Sequence, residues 1–121
     1  TNANWMRNRW QIVLSNNKYS IVSDNNTTYA KDPALPSKDI KDIDLNDKYT
    51  VTMALSGGCN GQTAITFDNL GRPMIGNISD DVSAYVAGQL MTATCVITLS
   101  QGTKNAVIHI EPETGYAHII N

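Results

Sequence analysis

Cys59 and Cys95 stand thirty-six residues apart among short β-patterned runs, and that pair constrains the chain more than any motif does. The spacing fits neither a compact metal-binding motif nor a CxxC redox pair. It suits a single bridge joining two distant parts of a small domain outside the cytosol. Closing a loop of that size removes about 4 kcal/mol of the unfolded state's advantage. The competing reading is two free, buried thiols in a cytosolic protein.

The rest of the composition narrows the class. At 121 residues the chain is long enough for one core, so one domain over 1–121 is expected. A hydrophobic content of 41% argues against disorder. Nine basic residues stand against eleven acidic ones, a formal charge of −2 that lends no electrostatic support to nucleic-acid binding. Glutamate is nearly absent, while Asn, Asp, Thr and Ser abound, a vocabulary of strands and turns. No stretch is apolar for long enough to span a bilayer. The opening, Thr-Asn-Ala-Asn-Trp, lacks an initiator methionine and a signal peptide and is read as the cut edge of a longer protein.

Turn signals divide the chain into short runs. Residues 3–9 read as the last turns of a helix. Extended runs at 11–14 and 19–22 flank Ser15-Asn16-Asn17 and predict a hairpin. Residues 23–48 lose pattern, with short edge pieces expected at 28–30 and 40–43. Alternation returns over 49–55 and stops at Gly57-Gly58. Further strands are expected at 64–67 and 73–78, with a polar excursion over 80–88. The last third gives strands at 94–99, 106–110 and 116–120 around two turns containing glycine. Seven or eight short strands at this spacing predict a mainly β fold, two antiparallel sheets packed as a small sandwich after a truncated helix.

Chemistry-bearing residues are few and their patterns incomplete. Asp42-Ile43-Asp44-Leu45-Asn46 opens like a calcium loop but has neither Gly at its sixth position nor Glu at its twelfth, and reads as a solvated acidic loop. His109 and His118 lie in separate β runs, each on the face opposite its isoleucine neighbours. Separate strands can bring them together, but no third ligand is placed near them, so no metal site is expected. Ser56-Gly57-Gly58 is not a nucleophile elbow, and Gly57-Gly58-Cys59-Asn60-Gly61 lacks the Lys and Ser/Thr of a phosphate loop. Glu111 and Glu113 straddle a proline in a turn, where nothing buries them. No catalytic residue and no cofactor are expected, and the chain reads as a non-enzyme. Trp5, Arg7, Arg9 and Trp10 form an aromatic-basic patch that reads as the foot of a helix with its arginines in water. With Arg72 and Lys104, Arg7 and Arg9 are the candidate contacts to DNA or a partner.

The order of several segments resembles a known group. Trp10-Gln11-Ile12-Val13-Leu14 is followed by Ala64-Ile65-Thr66-Phe67-Asp68-Asn69-Leu70-Gly71-Arg72-Pro73. Ala93-Thr94-Cys95-Val96-Ile97-Thr98-Leu99 comes next, then Ala106-Val107-Ile108-His109-Ile110-Glu111-Pro112-Glu113-Thr114-Gly115-Tyr116. Over nearly its whole length the chain resembles the globular domain of GspH/FimT-type pseudopilins, minor subunits of type II secretion and type IV pilus machines. The Phe-Asp-Asn-Leu-Gly-Arg turn and the strand–Pro-Glu-Thr-Gly–strand unit are its most specific parts.

The resemblance implies an apolar N-terminal helix upstream, trimmed and methylated by a prepilin peptidase, that anchors the subunit in the bacterial inner membrane and then in a filament. It places the β domain in the periplasm and makes other pseudopilins or minor pilins its partners. DNA-uptake members of the group bind DNA through a basic C-terminal segment. This chain has only Lys104 as a positive charge after Arg72, so DNA is the lesser expectation. A periplasmic ligand-binding sandwich using Trp5, Trp10 and Tyr85 is the other alternative.

Overall fold

A computed structural model describes residues 9–23, 28–68, 70–76 and 87–120. Strands β1 (Trp10–Ser15) and β2 (Lys18–Ser23) form a hairpin whose two-residue turn, Asn16-Asn17, has positive φ at both positions. Asparagine tolerates that conformation better than most side chains, which is why an Asn pair can close the hairpin. β3 (Ile43–Asp44), β5 (Ala64–Phe67) and β6 (Pro73–Met74) complete an antiparallel sheet ordered β3-β2-β1-β5-β6. The second sheet is ordered β4-β7-β8-β9, from β4 (Thr52–Gly57), β7 (Cys95–Gln101), β8 (Lys104–Ile110) and β9 (Ala117–Ile120). The expected mainly β, two-sheet architecture is therefore present, with nine short strands among the described residues.

The sheets meet over one apolar cluster. Leu14 and Ile65 come from the first sheet, Cys95, Ile97 and Ile110 from the second, with Cys59 and Met91 between strands. Ile12, Phe67, Met53, Leu55, Leu99 and Ile108 pack against it. Each sits at the inward parity of its strand, as a period of two requires. The two cysteines form a disulfide and are wholly buried. Cys95 is paired with Gly57, two residues before Cys59, so the bridge ties the turn after β4 to the start of β7. The loop it closes leaves that sheet, supplies β5 and β6 to the other, and returns. Space beside the bridge is scarce: a Cβ on Gly58 would stand 2.0 Å from the Ala93 carbonyl oxygen.

Several expectations need correction. The run over 49–55 is not one strand. Its start belongs to a short helix, α1 (Leu45–Tyr49), capped by the Asp44 carboxylate, which accepts from the Asp47 amide at 2.9 Å. Thr50 then turns left-handed, with φ 58°, and β4 begins at Thr52. The segment 23–48 is better organised than its sequence suggests. Bridges pair Val22 with Tyr29 and Lys31 with Asp39, and the Ile21 amide donates to the Ile40 carbonyl. Of the strand expected at 73–78, β6 takes Pro73 and Met74, Ile75 and Gly76 belong to no strand, and 77–78 lie outside the described residues. The helix end expected at 3–9 lies outside the described residues except for Arg9, which belongs to no helix. Most of the excursion at 80–88 also lies outside them. No described helix is long and apolar enough to cross a membrane.

Candidate interaction face

Register decides which side chains the second sheet shows to solvent. Residues paired across an antiparallel ladder share a face. Val96 pairs with Ser56 and His109, and His109 pairs with His118. Thr98 pairs with Ala54 and Val107, and Val107 with Ile120. Ser100 pairs with Thr52 and Asn105. Tyr116, just before β9, stacks on His118 with ring centroids 4.7 Å apart. The face thus presents Thr52, Ala54, Ser56, Val96, Thr98, Ser100, Asn105, Val107, His109, Tyr116, His118 and Ile120. All are exposed or half-buried, and none is Asp, Glu, Lys or Arg. The charges gather elsewhere: Lys31, Asp32, Lys38, Asp39, Lys41, Asp42, Asp44, Asp47 and Lys48 crowd the segment that wraps the first sheet.

One end of this face is built by the two turns that sequence singles out. After β5, Asp68 is fully buried and its carboxylate organises the turn. Oδ1 accepts the Leu70 and Arg72 amides at 2.9 Å each, and Oδ2 takes the Arg72 Nε at 2.6 Å. The Pro112-Glu113-Thr114-Gly115 turn docks on it. A Cβ on Gly115 would lie 2.2 Å from the Gly71 carbonyl oxygen and 3.3 Å from the Phe67 ring, so only glycine allows this approach at its φ of 69°. Leu70 and Tyr116, next to the contacting glycines, are exposed, as are Ile119 and Ile120 on the outermost strand.

The other candidate residues are dispersed. Arg7 and the aromatics Trp5 and Tyr85 lie outside the described residues. Arg9 is buried, not water-facing, because it continues the outward parity of β1, and that face of the first sheet is itself covered. Arg72 is engaged by Asp68, and Lys104 sits exposed at the tip of the β7–β8 hairpin. Glu111 accepts a hydrogen bond from the Thr94 hydroxyl at 2.8 Å, while Glu113 is exposed with a φ of 68°. Asp44 of the acidic loop is a helix cap. A cleft of about 340 Å³ between α1 and the β7–β8 hairpin is lined by Leu45, Tyr49, Val51, Leu99 and Ala106, with Lys104 at its rim. It has one aromatic ring and no carboxylate.

Sequence reasoning overlooked the uncharged face, although a signal was present. Cys95-Val96-Ile97-Thr98-Leu99 and Ala106-Val107-Ile108-His109-Ile110 are nearly continuous apolar runs where a strand with one face in water would alternate with polar residues. No protein-family model, no curated protein and no solved structure matches this chain.

Proposed function

We propose that the chain is the globular domain of a non-enzymatic minor pseudopilin, a subunit that works by binding other pilin-like subunits in a type II secretion pseudopilus or a type IV pilus. The observation that carries this reading is the uncharged outer face of the second sheet. Val96, Thr98, Val107, His109 and Ile120 stand where a sheet facing water ordinarily carries charges. Such a face loses little on desolvation, whereas a face bearing unpaired charges would be costly to cover. Protein–protein contact is the use that fits it.

The resemblance supplies the family. Its two most specific segments, far apart in sequence, touch at Gly71 and Gly115 and so behave as one structural unit. The buried disulfide agrees with a domain kept in the periplasm, an oxidising compartment, with the anchoring helix upstream. A DNA-uptake role finds less support. Arg9 is buried, Arg72 is held by Asp68, and Lys104 stands apart at a hairpin tip, so these residues make no basic stripe. For a ligand-binding sandwich, the cleft beside Tyr49 offers a single aromatic ring and no carboxylate.

The test uses the full-length protein in its own cells, with a photo-crosslinker at Thr98 and a control crosslinker at Leu35. Capture of a pilin-like subunit from Thr98 alone is the expected result, and Val107→Lys should abolish it without lowering the thermal midpoint. Recovery of no pilin-like partner, or equal capture from both positions, sinks the proposal.

A further inference from the structure

The chain contains only two histidines, and the β8–β9 register sets them directly opposite each other. His109 and His118 share the outer face with ring centroids 5.7 Å apart and planes crossed at 74°. Tyr116 stacks on His118 and so holds that ring's orientation. Nδ1 of His118 is shielded from solvent and has no hydrogen-bond partner, so its bonding capacity is uncommitted.

We propose that His109 and His118 form a two-histidine chelate for a divalent transition metal of the zinc, nickel and copper class. Metal–nitrogen bonds of about 2.1 Å put each imidazole centroid roughly 3.2 Å from the ion, so two rings at a tetrahedral angle have centroids a little over 5 Å apart. The observed separation needs only a small rotamer adjustment to reach that value. Neutral imidazoles favour these borderline cations over magnesium or calcium, which take oxygen ligands. No group of three or more His, Cys, Asp or Glu surrounds a common point among the described residues. The ion therefore keeps open positions, filled by water or by a donor from a neighbouring molecule. Both cysteines are tied up in the disulfide, so no thiolate competes for the metal.

The experiment titrates untagged protein with nickel and zinc chloride by calorimetry and follows both imidazoles by nitrogen NMR. One saturable site is expected, with both rings perturbed at the same metal ratio and no response to magnesium. His109→Asn and His118→Gln should each weaken binding at least tenfold, and the double variant should lose less than the sum of the two single losses, because the chelate is already broken when either arm is removed. Circular dichroism matching the parent shows that the variants are folded. Absence of a one-to-one site, a shift of only one ring, parental affinity in either variant, or additive losses in the double variant each overturn the proposal.

Discussion

Val22 and Val107 are the same residue at the same outward parity on the two sheets, yet their surroundings are opposite. Val22 is 2% exposed, and around it Gln11, Ser20, Thr66 and Met74 are buried too, so the first sheet is covered on both faces. Polar members of that covered face make hydrogen bonds: Gln11 Nε2 donates to the Ser23 carbonyl at 3.1 Å, and Ser20 Oγ accepts the Asp42 amide at 2.8 Å. Val107 is half-buried, on a face whose described members are all exposed or half-buried. The first sheet is finished as a piece of protein interior. The second is a strand layer whose outer side chains all stay at least partly exposed. The outer face of the second sheet carries no charge, while most of the described lysines and aspartates gather on the segment beside the first sheet.

The largest test of this contrast removes what both sheets share. Cys59→Ser with Cys95→Ser should lower unfolding free energy by about 4 kcal/mol, because the bridged loop carries two strands of the first sheet while rooted in the second. Urea unfolding of parent and variant under oxidising conditions measures it, and a change under about 1 kcal/mol would mean the loop is already held by packing. Next, Asp68→Ala strips three hydrogen bonds and removes the buried carboxylate that pairs with Arg72, at an expected cost of about 3 kcal/mol. The matched valines give the sharpest comparison. Val22→Ala should cost about 2 kcal/mol and Val107→Ala about 0.5 kcal/mol or less in the same denaturation series. Equal losses would erase the distinction between the two faces. Between the two valines in size, Asp44→Ala removes the cap of α1 at about 1 kcal/mol, with amide exchange quickening at Asp47.

Where local pattern was sufficient, the sequence was legible. β5 occupies the four residues expected, because Ala64-Ile65-Thr66-Phe67 alternates and ends at an Asp turn. Both hairpins follow from their turn residues, Asn16-Asn17 and Gly102-Thr103. The helix α1 was hidden because Tyr49 extends the alternation of Val51, Met53 and Leu55 backwards. The competing signal, Asp44 as cap with Asp47 in the first turn, looked instead like part of an acidic loop. Sheet membership was not legible at all. The chain changes sheets between β3 and β4, between β4 and β5, and between β6 and β7, and no local feature marks those crossings. Nor was the candidate face, since placing His109 beside His118 needs the register of two strands, and placing Leu70 near Tyr116 needs a contact between remote turns.

The close approach of Gly115 to Gly71 has a mechanical meaning. β9 is the outermost strand of its sheet and pairs with β8 alone, an arrangement that by itself would let a sideways pull peel it away rung by rung. Because its leading turn is wedged against the Asp68–Arg72 turn, load entering at that edge passes directly into β5 and β6 on the opposite layer. Peeling β9 away therefore requires undoing this interlayer contact as well as its ladder with β8.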